Sequence, residues 1–68
     1  MREYLKELRN KKGITQLEMS KELCVSESYY NLIENGERQK DMSVAMAEKL
    51  AGVLDVPLTV ILDNERKG

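Results

Sequence analysis

The chain has no histidine, no tryptophan and no phenylalanine, and only one proline and one cysteine in its 68 residues. Without histidine, and with Cys24 alone, it has no Cys/His zinc site, no disulfide framework and no nucleophile–histidine dyad. No catalytic residue, metal ligand or cofactor is expected. A lone thiol fits a reducing, cytoplasmic setting. The aromatics are three tyrosines, Tyr4, Tyr29 and Tyr30. No apolar run approaches the ~18 residues that would span a bilayer. Residues 1–10 alternate charged and apolar side chains, unlike a secretory leader. Neither sign of charge dominates: 11 Lys/Arg face 12 Asp/Glu, a net charge of −1. Taken alone, that sum argues against a polyanionic partner. What is present is 41% hydrophobic and 34% charged residues, enough for one small folded domain. A domain of this size buries only ~60% of the surface its unfolded chain exposes.

The patterning is helical throughout, and no segment alternates long enough to be a strand. A first helix is predicted over Arg2–Lys12, with Met1, Leu5 and Leu8 on one face and Gly13 as its stop. Thr15-Gln16-Leu17-Glu18 is a capping box and opens a second helix ending near Leu23. Ser26 is a good N-cap for a third, which runs to about Glu34 and stops at Asn35-Gly36. A polar loop, 37–42, precedes a fourth helix capped by Asp41 or Ser43. That helix carries a stripe of Val44, Ala47, Leu50, Ala51 and Leu54. Pro57 suits the start of a last short helix, Leu58–Asp63. The reading is a compact all-α domain of five helices over residues 1–63, with a frayed tail over 64–68.

The informative stretch is Gln16 to Ile33. Two short helices are joined by a three-residue turn, Cys24-Val25-Ser26. Small Ser20 sits where a larger side chain would hold the next helix away. Met19, Leu23 and Val25 lie under the turn, and Tyr30 and Ile33 supply the inner face of the following helix. This is the pattern of a helix-turn-helix formed by helices 2 and 3, whose second helix enters the DNA major groove.

The residues that carry this pattern resemble those of the Xre, or lambda-repressor-like, family of DNA-binding domains. The likeness covers about Tyr4 to Leu62. It rests on Ile14-Thr15-Gln16, on Ser26 through Tyr30, on Ile33-Glu34-Asn35-Gly36, and on Ala47 through Ala51 followed by Leu54-Asp55-Val56. The resemblance implies a sequence-specific regulator of transcription, a repressor acting as a homodimer on a palindromic operator. By position, Gln16 would contact phosphate or the end of the recognition helix, and Thr15 would add a phosphate contact. Glu27, Ser28 and Leu32 match base-reading positions, with Ser26 and Tyr29 beside them. Asn35 and the amides after it match a phosphate approach, and Arg38 and Lys40 lie in a backbone-gripping loop. Arg9 and Glu34 match a salt bridge tying the first helix to the third.

Some features depart from the family. Cys24 stands where glycine is commonest, the loop before the fourth helix is about two residues longer, and Glu27 cannot bind phosphate. Glu27 could accept from cytosine N4, and Leu32 could pack on a thymine methyl. The last helix holds more apolar residues than it can bury locally. Leu58, Ile61 and Leu62 suit the core, and Pro57, Val60 and Ile61 are the expected two-fold contact.

The distribution of charge then matters more than its sum. Residues 1–40 hold eight Lys/Arg against seven Asp/Glu, and residues 41–68 hold three against five. The groove-facing half is only weakly basic, which predicts few phosphate contacts per subunit. The competing reading is a protein-interaction module on the same fold, motivated by Glu27 and the net negative charge. No membrane and no small-molecule ligand are expected.

Overall fold

The computed structural model describes residues 1–67. Among the described residues are five α-helices and no strand: α1 (Glu3–Lys12), α2 (Gln16–Leu23), α3 (Glu27–Asn35), α4 (Val44–Leu54) and α5 (Leu58–Lys67). They fill a volume of 26 × 23 × 20 Å.

Local chemistry starts and stops most of these helices. Thr15 Oγ1 accepts from the Glu18 amide at 3.1 Å, and Glu18 Oε1 accepts from the Thr15 amide at 3.0 Å, completing the capping box of α2. Ser26 accepts from the Tyr29 amide and Ser43 from the Met46 amide, each at 3.1 Å. Caps of this kind contribute about 1 kcal/mol each. Gly13 and Gly36 end α1 and α3 with φ of 73° and 82°. Cys24 and Asp55 end α2 and α4 in the same left-handed conformation, at φ 59° and 58°. For a side chain with a Cβ, that conformation costs roughly 1–2 kcal/mol. The turn of the helix-turn-helix therefore carries a small strain at Cys24.

The core lies where the helices converge. Leu5 of α1, Met19 and Leu23 of α2, Tyr30 and Ile33 of α3, Ala47, Leu50 and Leu54 of α4, and Ile61 of α5 are buried together. Truncating any of the larger ones to alanine would cost ~2–5 kcal/mol, a large share of the stability of a domain this small.

Four expectations are corrected here. Val44 is 54% exposed, and Met46 is the buried residue instead. Val44 is the first residue of α4, so no preceding turn covers it. Met1 is 67% exposed and does not share the buried face of Leu5. Ile61 is fully buried, as its place among the core candidates implied, so it has no surface left for the two-fold contact also expected of it. The expected frayed tail is helical: α5 runs to Lys67. Long-range pairing explains this, because Glu65 is held by Arg2 from the other end of the chain at 2.7 and 3.0 Å. The Tyr4 hydroxyl donates to the same carboxylate. Gly68, the last residue of the expected tail, lies outside the described residues.

Candidate nucleic-acid interface

Helices α2 and α3 pack more extensively on each other than any other pair. Ser20 permits it: its side chain is small and buried, and its hydroxyl is satisfied by donating to the Leu17 carbonyl at 2.6 Å. Val25 closes the turn by donating its amide to the Ser20 carbonyl at 2.9 Å.

Glu34, on the inner side of α3, joins three helices. Its Oε2 accepts from Arg9 Nε of α1 at 2.7 Å, and its Oε1 accepts from Gln16 Nε2 of α2 at 3.2 Å. Arg9 also donates to the Ile14 carbonyl at 2.9 Å, fixing the α1–α2 connection. Glu34 is 1% exposed and Arg9 9%. Burial pushes the Glu34 carboxyl up, but the Arg9 guanidinium and the Gln16 amide, both donating to it, outweigh burial and hold the carboxyl below the usual range. The Tyr30 hydroxyl is buried beside this cluster without a hydrogen-bond partner. Burial first, and the Glu34 carboxylate second, keep that phenol protonated far above its ordinary range.

The opposite side of α3 is open. Glu27 and Ser28 are exposed, and Asn31 and Leu32 are half-buried. Together with Gln16 they line a shallow depression. Ser26 and Thr15 are exposed at the starts of α3 and α2, with their hydroxyl oxygens engaged as caps. Tyr29 is half-buried and turned toward the loop, its hydroxyl accepting from Gln39 Nε2 at 3.4 Å. Gln39 has φ 55°, and its Oε1 accepts from the Ser43 amide, so one side chain links α3 to the start of α4.

Asn35 is half-buried, and its Nδ2 donates to Asn31 Oδ1 at 3.1 Å. The amides after it are not free. Gly36 donates to Ile33, and Glu37 and Arg38 both donate to Leu32, at 2.9–3.2 Å. The expected approach of these amides to a phosphate is therefore corrected: they close the end of α3 instead. The side chains of Arg38 and Lys40 are exposed. The loop beneath them is fixed by Arg2, whose guanidinium donates to the carbonyls of Ile33, Arg38 and Gln39 while pairing with Glu65. Away from this face, Pro57 is exposed and Val60 half-buried. Val60 lines a second hollow with Tyr4, Glu7, Leu8, Lys11 and Asn64, between α1 and α5.

The structure thus brings Gln16, Glu27, Ser28 and Leu32 to one face and places Arg38 and Lys40 on an anchored loop. It adds Asn31, which sequence reasoning passed over. Its position four residues from both Glu27 and Asn35 was the available signal. Arg2 and Gln39 were also missed, and no local pattern marks either. Among the described residues there is no cluster of three or more His, Cys, Asp or Glu able to hold a metal ion. No helix among them is long and apolar enough to cross a membrane.

Comparison with known proteins agrees with this geometry. The family described as "Helix-turn-helix" matches residues 5–61. The chain is 36% identical over 64 residues to YqaF of Bacillus subtilis (strain 168), described as an uncharacterised HTH-type transcriptional regulator. The match covers 94% of this chain and 82% of that protein. No solved structure is a significant match. With a capped three-residue turn, a buried small residue between its two helices and a family match over nearly its whole length, the chain belongs to the Xre/lambda-repressor-like helix-turn-helix family of DNA-binding transcription regulators, and is not an enzyme.

Proposed function

We propose that the protein is a cytoplasmic repressor that binds a palindromic operator as a homodimer, with α3 in the major groove. The observation that carries this reading is the outer face of α3. Glu27, Ser28 and Leu32 stand on a helix whose other side is locked to α1 and α2 through Glu34. A reading head needs that rigidity, because base-edge contacts depend on placement to within a fraction of an ångström. Ser28 would donate or accept at a base edge, Glu27 would accept from cytosine N4, and Leu32 would pack on a thymine methyl. Ser26 and Tyr29 flank these positions. Thr15, Gln16, Asn35, Arg38 and Lys40 would position the domain on the phosphate backbone.

Two copies would pair through α5, with Pro57 and Val60 in the contact. Pairing would set the two α3 helices about one helical turn, ~34 Å, apart. Blocking polymerase at such a site needs no further domain.

A second reading, a module whose α3 docks on a protein, is favoured by the burial of cations. Arg2 and Arg9 are spent in pairs with Glu65 and Glu34 and lend no charge to the surface. A gel shift on a randomised duplex pool at low salt separates the two. Enrichment of a two-fold symmetric site supports the operator reading. No enrichment of any duplex supports the protein-docking one.

A further inference from the structure

Four side chains and a guanidinium form one continuous hydrogen-bonded chain across the helix-turn-helix. Arg9 donates to Glu34, Gln16 Nε2 donates to Glu34, Asn31 Nδ2 donates to Gln16 Oε1 at 3.3 Å, and Asn35 Nδ2 donates to Asn31 Oδ1 at 3.1 Å. A primary amide has two ends of almost equal shape and opposite chemistry, so its orientation is decided by its partners. Here one end of the chain admits a single answer. An ionised, buried carboxylate only accepts, so Gln16 must turn its NH2 toward Glu34. Its oxygen then faces Asn31, which must turn its own NH2 inward, and the oxygen of Asn31 faces the NH2 of Asn35. The polarity set at Glu34 passes outward through three amides.

The consequence falls on the depression at the outer face of α3, which Gln16 and Asn31 line with Glu27, Ser28 and Leu32. Each NH2 has two hydrogens, and the chain uses one. The oxygen of Asn31 already accepts from Asn35 and is directed along α3. Asn31 thus keeps one N–H free to offer a ligand, while its oxygen is turned toward Asn35. We propose that Asn31 is a further DNA-contacting residue, a hydrogen-bond donor to an acceptor on the duplex, and that Glu34 is the positioning residue that fixes its polarity. This rests on the DNA-binding reading above and adds a residue and a direction to it. The acceptor is either a phosphate oxygen or an acceptor on a base edge. With its oxygen held toward Asn35, Asn31 is not oriented for the bidentate adenine contact, which needs the amide oxygen as well. It would take a purine N7, which adenine and guanine share.

The test starts from a duplex selected by the wild-type protein. If no duplex is selected, the DNA-binding reading itself fails, and this inference with it. With a selected duplex in hand, affinities are measured at fixed salt for wild type, Asn31→Ala and Asn31→Asp, with thermal midpoints recorded to confirm folding. Removing one good contact weakens binding about tenfold, within the range for single contacts. Asn31→Asp should weaken it further, because it replaces the donor by an anion. Single-base variants of the duplex then separate the two acceptors. Loss of a purine preference at one position assigns a base edge, and an equal loss on every sequence assigns a phosphate.

Polarity is read separately from the side-chain NH2 resonances of Asn31 in 15N-labelled protein. They should move on adding duplex in wild type, and that response should diminish in Glu34→Gln, where the chain no longer ends on a pure acceptor. Should Glu34→Gln fail to fold, the Asn31 affinities and base preferences decide alone. Wild-type affinity in both Asn31 variants would overturn the proposal. So would loss of a preference for adenine over guanine, since that requires the oxygen.

Discussion

Arg9 Nε lies 2.7 Å from Glu34 Oε2, across 25 residues of sequence and inside the protein. The pair does more than join α1 to α3, because the second Glu34 oxygen receives Gln16 from α2. A buried ion pair of this kind adds little net stability against an apolar pair of the same volume, yet breaking it on one side leaves an uncompensated charge. Arg9→Ala or Glu34→Ala should therefore lower unfolding free energy by about 3–5 kcal/mol. Arg9→Met combined with Glu34→Leu should cost less than either. Urea unfolding of the four proteins measures this. A double variant as unstable as the two losses added together would contradict it.

Acid should unfold the domain through two carboxylates. Glu34 and Glu65 are each pushed up by burial and pulled further down by their partners, Arg9 and Gln16 for one, Arg2 and Tyr4 for the other. A carboxyl held below its unfolded value contributes stability that is complete above about pH 4.3, the unfolded glutamate value. That stability is lost as pH falls through the lower folded values. Circular dichroism against pH should show constant helix content from neutral down to about 5 and a fall below ~4. Glu65→Gln should flatten the approach to that fall. A transition centred above pH 5 would point to other groups.

Most of the scaffold was legible from sequence, because local chemistry decides it. Thr15, Ser26 and Ser43 cap helices through the amides three residues ahead, and Gly13 and Gly36 end helices because they accept a left-handed backbone. Long-range pairing was the part that could not be read. The tail became helix because Glu65 meets Arg2 from 63 residues away. Spacing put Leu58, Ile61 and Leu62 toward the core, but only packing against the other helices decides that Ile61 is fully buried while Leu58 and Leu62 stay half-buried. At the candidate site, Glu27, Ser28 and Leu32 follow from the family resemblance, and their exposure on one side of α3 agrees with helical spacing. The chain of amides through Gln16, Asn31 and Asn35 could not be read, because it depends on how α2 crosses α3 and on where a buried carboxylate sits.

Dimerisation should depend on the exposed side of α5. Val60 is half-buried and lies clear of the α3 face. Val60→Asp should shift sedimentation toward monomer while leaving the helical signal unchanged. An unaltered mass distribution would remove α5 from the contact.

Salt should weaken DNA binding only modestly. Arg2 and Arg9 are internal and the amides after Asn35 are closed on α3, which leaves the exposed loop cations Arg38 and Lys40 as the charged phosphate contacts of the proposed interface. At ~0.9 per neutralised phosphate, the slope of log affinity against log salt should stay below about 4 per subunit. A slope near 8 per subunit would mean that binding is driven by phosphate contacts the fold does not present.

The central claim is that the outer face of α3 reads bases, and site selection on wild type, Ser28→Ala and Leu32→Ala tests it most directly. The account predicts that wild type selects a two-fold symmetric site. Each variant should relax or change the preference at its own position in each half-site, by ~1–3 kcal/mol. Identical preferences in all three proteins, with affinity lost equally on every sequence, would contradict it.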